Sequence, residues 1–311
     1  MATGITPFNI AFSPADVEDL NQRLQSARIP ELIDETPWER GPPAQDIRRI
    51  TNHWRSAFDW SSFQEKLNRL PNFEATVSVD GFGDCNVHFL HQKSSVSTAM
   101  PLLLIHGSLH LNLVIAMPPP ITSPFAFLRF LTTHFLNLYT PQEASGLQQA
   151  QNYQTSGNGY LEIQKQRPST IGIALEDSPV ALLTWIYDKL VSWTDSYPWT
   201  DDEICEWVSI YWFSRAGPAA SAVIYHDAFK GGPEPINTIV YTPGTKVGFS
   251  HFPKEISRTP NLWNRQIGDV VFEREHEHGG HFAAWEQPEA LVNDLREMLV
   301  PGGAAYGAFK K

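Results

Sequence analysis

Cysteine is scarce in this 311-residue chain: Cys85 and Cys205 are its only two. Two thiols make no disulfide framework, which fits a reducing compartment. Positive charge is also short. Lys and Arg number 23 against 34 Asp and Glu, for a formal net charge of −11. No basic cluster stands out, which argues against a nucleic-acid partner. A long apolar run is missing as well. Pro101 to Leu128 holds no Asp, Glu, Lys or Arg, but His106, Gly107, His110, Asn112 and Pro118-Pro119-Pro120 interrupt it. A transmembrane helix needs about 20 predominantly apolar residues without such a break, so no membrane-spanning segment is expected. The stretch Met1 to Ile10 has neither a basic n-region nor a long apolar h-region. No signal peptide is therefore expected, and the location expected is cytoplasmic. The last absence is chemical: no candidate nucleophile sits on a sharp strand-to-helix turn.

What is present supports a large core. Hydrophobic residues make up 42% of the chain and aromatics 12%, with 10 Trp. That composition argues against disorder. Ser13-Pro14-Ala15-Asp16 reads as a capped helix start, followed by Val17, Leu20, Leu24 and Ala27 at helical spacing. Residues 31–45 read as a meander. Ile47, Ile50, Trp54 and Phe58 predict one helix from Ile47 to Trp60, and Phe63 to Leu70 a further one ending before Pro71. From Phe73 the period changes to two. Phe73, Ala75, Val77 and Val79 predict a strand, paired through Gly81-Phe82-Gly83 to a second strand at Val87–His91. Leu102-Leu103-Leu104-Ile105 predicts a short strand buried on both faces of a parallel sheet. Residues 121–230 read as helical and aromatic, an inserted cap. Strands are expected again at Ile236–Tyr241, Lys246–Phe249 and Asp269–Phe272, and a last helix from Pro288.

Two late features carry chemistry. Phe252-Pro253-Lys254-Glu255 puts an acid at a strand end, and Gly279-Gly280-His281 puts a histidine on a Gly-rich turn before the last helix. An acid and a histidine so placed are two-thirds of a hydrolytic triad. A rival reading takes His276, His278 and His281, spaced i, i+2, i+5, as zinc ligands of a metal-dependent hydrolase. After His281 there is no further His to complete such a set.

Many short motifs in order resemble the epoxide hydrolases of the microsomal type. They are Pro7-Phe8-Asn9-Ile10, Trp54 to Trp60, Leu103-Leu104-Ile105-His106-Gly107, Gly159 to Gln164, Arg167-Pro168 to Pro179, Tyr211-Trp212, Ile224-Tyr225, Phe252 to Glu255 and Gly279 to Ala284. The resemblance implies an α/β fold: an α/β-hydrolase sheet with an N-terminal helical meander and a helical lid. It implies residues 1–93 as an N-terminal domain, 94–120 and 232–311 as the hydrolase core, and 121–231 as the lid. It implies an enzyme that adds water to an epoxide to give a vicinal diol, with no cofactor and with epoxide and water as its small-molecule partners. Carried over by position, Glu255 orients His281, His281 activates water, and Tyr160 and Tyr225 donate hydrogen bonds to the epoxide oxygen. An opening epoxide develops alkoxide charge, which a phenol can stabilise. Glu255 and His281 are then expected within hydrogen-bond reach, with both tyrosine hydroxyls aimed at one cavity.

One departure stands out. The family nucleophile is the Asp of a Gly-Gly-Asp-Trp-Gly-type elbow. Here Leu102–Ser108 runs directly into Leu109-His110-Leu111-Asn112-Leu113, which is similar to the strand that follows the nucleophile helix. Three crossover units are missing from the pattern, roughly 90 residues at about 30 each. The sheet is therefore expected to be internally truncated. Asp84, in Gly83-Asp84-Cys85-Asn86 between hairpin strands, is the substitute nucleophile to weigh. The competing expectation is a non-enzymatic truncated isoform or gene-model remnant.

Overall fold

The computed structural model describes residues 2–31, 38–97, 99–104, 118–120, 122–230 and 241–308. In chain order the elements are β1 (Ala2–Pro7), α1 (Pro14–Ser26), α2 (Ala44–Ser56), α3 (Trp60–Asn68), β2 (Asn72–Val79) and β3 (Gly83–Leu90). Then come α4 (Pro124–Phe135), α5 (Pro141–Asn152), a π-helical turn (Tyr153–Gly157), α6 (Gly159–Gln166), α7 (Pro168–Asp177), α8 (Pro179–Ser192), α9 (Asp201–Trp212) and α10 (Pro218–Phe229). The parallel strands β4 (Lys246–His251) and β5 (Asp269–Glu275) follow, with the C-terminal helix Pro288–Leu299 after them. The described residues form two compact units. The first comprises Met1–Leu102, Ser178–Thr184 and Thr200–Arg215; the second comprises Leu103–Asp177, Trp185–Trp199 and Ala216–Lys311.

The first unit is a three-stranded antiparallel sheet, β1-β2-β3, together with helices. The expected hairpin is present, with Phe73 opposite Phe89 and Val77 opposite Cys85. Gly81 and Gly83 both take φ of +82°, a conformation that favours glycine at this turn. Strand β1 was not legible. Gly4 at φ +66° and Pro7 break its alternation, and both are tolerated because β1 lies at the edge of the sheet. The helix expected from Ile47 to Trp60 ends at Ser56, and the one expected from Phe63 to Leu70 begins at Trp60. Asp59 stops the run, because its carboxylate accepts from the Ser62 N–H at 3.0 Å and caps α3. Helix α2 buries Ile47, Ile50 and Trp54, and the Trp54 indole donates to Ser209 Oγ on α9 at 3.0 Å. Thr200 and Glu203 form a capping box at the start of α9. Asp201 and Asp202 not only suit the helix dipole there but also pair with Arg49 and, at 2.7 Å, with His53.

In the second unit, β4 pairs with β5 in parallel, Lys246 opposite Asp269 and His251 opposite Glu275. The C-terminal helix lies on this pair. A Cβ at Gly248 would come 2.6 Å from the Met298 sulfur, so any larger residue there would push the Met298 side chain aside. Asp294, 3% exposed, accepts from Ser250 Oγ on β4 at 2.6 Å and from Arg274 on β5 at 3.0 Å. One buried carboxylate thus ties both strands to the helix. Residues 122–230 are helical throughout their regular elements, as expected.

The strand expected at Leu102–Ile105 differs. Leu102, Leu103 and Leu104 form no strand and are 58%, 80% and 73% exposed. A strand of this apolar type is stable only with pairing partners and a cover on both faces, and among the described residues it has neither. Ile105, the Gly107–Leu113 junction and all but Tyr241 of the Ile236–Tyr241 strand lie outside the described residues. Tyr241 is not in a strand, and its hydroxyl donates to Asp269.

Candidate active site

The acid–histidine pair assembles through two turns. After β4 the chain bends at Phe252-Pro253, and the Lys254 N–H donates to the Gly279 carbonyl at 3.0 Å. This bridge sets the acid turn beside the histidine turn. Gly279 adopts φ +111°, a conformation that side chains rarely take. A Cβ at Gly280 would stand 2.5 Å from the Trp193 carbonyl oxygen, so the turn needs glycine there to pass against residues 193–195. Glu255 Oε1 then lies 2.6 Å from His281 Nδ1 and also accepts from the Ile256 N–H at 2.7 Å. The His281 side chain is fully buried, and that of Glu255 is 19% exposed. A carboxylate on Nδ1 fixes the tautomer and assigns any base role to Nε2.

Four carboxylate and backbone contacts pin the histidine turn. The His281 N–H donates to the Trp193 carbonyl at 2.8 Å, and the Gly279 N–H to Asp195 Oδ2 at 3.0 Å. Glu286 accepts from the Gly280 N–H at 3.0 Å and from the Asp195 N–H at 2.6 Å. Burial raises the carboxyl pKa of Glu286, and the two N–H donors work against that rise. Asp195 and Glu286 were not legible as site residues, because nothing in their sequence context sets them apart from solvated acids.

The two tyrosines also meet. Tyr160 on α6 is 6% exposed, and its hydroxyl is hydrogen-bonded both to Tyr225 on α10 and, at 2.8 Å, to Tyr153. Helix α10 is set against α6 by the His226 ring, whose Nδ1–H donates to the Lys165 carbonyl at 2.7 Å. Its first turn is capped by Glu176 of α7, which accepts from the Ala219 N–H at 3.0 Å. Burial drives the phenol pKa of Tyr160 far up and pushes that of Tyr225 up to about 12. Both are neutral proton donors at physiological pH. Trp193 sits edge-on to Tyr160 at 5.1 Å and edge-on to His281 at 5.2 Å, so one indole touches both pairs. The Lys189 ammonium lies 5.0 Å over the Tyr160 ring. A cavity of about 540 Å³ lies elsewhere, lined by Phe125, Leu128, Arg129, Thr132, Thr133 and Leu138 of α4 and its end, and none of the four residues borders it.

The zinc reading is not assembled. His276 Nε2 binds Asp294 at 2.7 Å, His278 stands 3.8 Å from Asp195 and is 77% exposed, and His281 is held by Glu255. The three rings turn to three different carboxylates. Among the described residues, no group of three or more His, Cys, Asp or Glu could hold a metal ion. Asp84 belongs to the other compact unit, on β3, with its carboxylate accepting from Ser78 Oγ.

Solved structures define the fold. The chain is similar to the epoxide hydrolase of Aspergillus niger, with a TM-score of 0.73 and 24% identity over 94% of this chain and 95% of that one. It is also similar to the juvenile hormone epoxide hydrolase of the silkworm Bombyx mori, with a TM-score of 0.76 and 21% identity over 94% and 93%. These likenesses place the fold among the α/β hydrolases. Residues 5–108 match the family described as "Epoxide hydrolase N terminus". A putative epoxide hydrolase of Stigmatella aurantiaca is 29% identical across 95% of this chain and 85% of its own length. Epoxide hydrolase 1 of Sus scrofa is 22% identical across 95% and 88%. The N-terminal third thus matches the epoxide hydrolase N-terminal family, and nearly the whole chain is similar to epoxide hydrolases. The Stigmatella alignment runs over 387 positions, more than the 311 residues here, so it includes stretches of the relative with no counterpart in this chain. Among the described residues, no helix is long and apolar enough to cross a membrane.

Proposed function

We propose that this chain carries the water-activating and oxygen-binding parts of an epoxide hydrolase but not the nucleophile. His281, oriented by Glu255, is the general base. Tyr160 and Tyr225 hold and protonate the oxirane oxygen. The lid is 121–231, the hydrolase core 94–120 and 232–311, and the N-terminal domain 1–93. The observation that carries the reading is the 2.6 Å contact of Glu255 with Nδ1 rather than Nε2, beside a buried, neutral phenol pair.

In the intact two-step reaction a carboxylate oxygen attacks an oxirane carbon, the C–O bond breaks, and a phenol protonates the alkoxide. Water, deprotonated by histidine, then attacks the ester and releases the diol. This chain has actors for the phenol and histidine roles. The alignment that outruns the chain and the uncovered Leu102–Leu104 both support loss of the segment that bears the attacking acid. Losing a nucleophile costs several orders of magnitude in rate, so the chain as written is expected to be inactive. The test is to insert, after Ser108, the elbow-bearing segment of a family relative and follow diol formation from a styrene-oxide-like substrate. Turnover that appears on insertion and vanishes with His281→Ala is the expected result. An inserted chain that folds and stays inactive would contradict the reading.

A further inference from the structure

The third phenol of the tyrosine cluster has no role in the reading above. Tyr153 lies on the π-helical turn Tyr153–Gly157 between α5 and α6. Such turns are uncommon and change the register of a helix locally. The turn brings Tyr153 to Tyr160, seven residues on, with their hydroxyls 2.8 Å apart. Gly157 makes room for it: a Cβ there would lie 3.2 Å from Tyr153 Cδ2. Thr155 and Ser156 bond back to the carbonyls of Gln151 and Asn152, which keeps the turn wound.

Proton counting gives this contact a direction. Each phenol has one proton to donate and an oxygen that accepts. When an oxirane oxygen is held by both Tyr160 and Tyr225, their two protons are committed to it. The Tyr153–Tyr160 contact can then persist only with Tyr153 donating and the Tyr160 oxygen accepting. We propose, resting on the oxygen-binding reading of Tyr160 and Tyr225, that Tyr153 is a positioning residue that aims the Tyr160 proton at the substrate oxygen and strengthens it as a donor. A hydroxyl that accepts one bond donates the next more strongly. When Tyr160 gives its proton to the opening alkoxide, the Tyr153 proton also stabilises the phenolate left behind. The charges nearby act in opposite senses. The Lys189 ammonium over the Tyr160 ring favours that phenolate, whereas Glu162 disfavours ionisation of Tyr153 itself.

The test needs no turnover, so it works on the chain as it stands. 4-Nitrophenolate is the oxyanion probe, titrated above its own pKa, and nitrobenzene is the probe of similar shape without the phenolate oxygen. Tyr160→Phe and Tyr225→Phe are each expected to weaken nitrophenolate binding about tenfold or more. Tyr153→Phe is expected to weaken it about fivefold, the effect of losing one bond that reinforces another, and to leave nitrobenzene binding unchanged. If Tyr153→Phe binds nitrophenolate as tightly as the parent while the other two variants lose it, the Tyr153 role is wrong and the oxygen site stands. If Tyr153→Phe weakens both probes equally, Tyr153 is a packing residue and the inference fails. If neither Tyr160→Phe nor Tyr225→Phe differs from the parent, the oxygen site itself is wrong and Tyr153 falls with it.

Discussion

Two parts of the second unit differ in how completely they are furnished. Around the histidine turn the backbone and side-chain polar groups are tied in: Trp193 and Asp195 on one side, Glu255 and Glu286 on the other, and Asp294 beneath the strands. Near Leu103, Leu104 and α4, apolar side chains face outward. Phe125 is 89% exposed and Leu103 80%, and α4 buries none of its residues. Hydrophobic surface of this extent is normally covered by neighbouring elements. The well-furnished part uses residues close in sequence to the surviving motifs. The bare part lies beside the sequence junction at which the proposed reading places the lost segment.

The comparison predicts that substitutions in the furnished part cost much and those in the bare part little. Asp294→Ala should cost most, about 3 kcal/mol, because it leaves His276 and Ser250 without their shared carboxylate and Arg274 with Glu297 alone, beside a buried gap. Denaturant unfolding reads this directly, and a loss under about 1 kcal/mol would break the contrast. Gly280→Ala comes next, at about 2 kcal/mol, since its Cβ meets the Trp193 carbonyl. Thermal melting should fall by several degrees, and the Glu255–His281 pairing should loosen with it.

Legibility in the sequence followed the same division. The hairpin, α1, the aromatic helices and the late strands could be read because their periodicity and caps are local. The contact of Glu255 with His281 could be read because a strand end and a glycine turn mark the two residues. Strand β1 could not, because Gly4 and Pro7 hide an edge strand. Asp195 and Glu286 could not, because their work is done on backbone N–H groups 84 residues away and 6 residues away. The Leu102–Ile105 run had the composition of a buried strand, but burial depends on neighbours that composition does not report.

A pH effect of middling size sharpens the picture. His251, at the end of β4, is 8% exposed, and burial together with Arg258 lowers its pKa from 6.5 to about 4. The unfolded chain therefore binds the proton first. Stability is full above the unfolded pKa and falls as pH drops from about 6.5 toward about 4. Between pH 7 and pH 5 the loss should be about 2 kcal/mol. His251→Phe should flatten that part of the stability profile. An unchanged slope would assign it to other groups.

The smallest effect belongs to the bare part. Phe125→Ser on α4 should change stability by no more than about 0.5 kcal/mol. It should lower the binding of an apolar dye, because it removes an exposed ring. A large loss of stability would mean that α4 is covered after all.

The central claim is that the chain retains the histidine, acid and phenols but no attacking carboxylate. It is tested most directly by incubating the 311-residue chain with a styrene-oxide-like substrate and measuring both diol release and the intact protein mass, beside His281→Ala and Asp84→Asn. The account predicts no diol above the buffer rate and no mass increase from an ester adduct in any of the three. Robust diol release that His281→Ala abolishes, with an ester trapped on the protein, would contradict it. Loss of that ester in Asp84→Asn would then name Asp84 as the nucleophile.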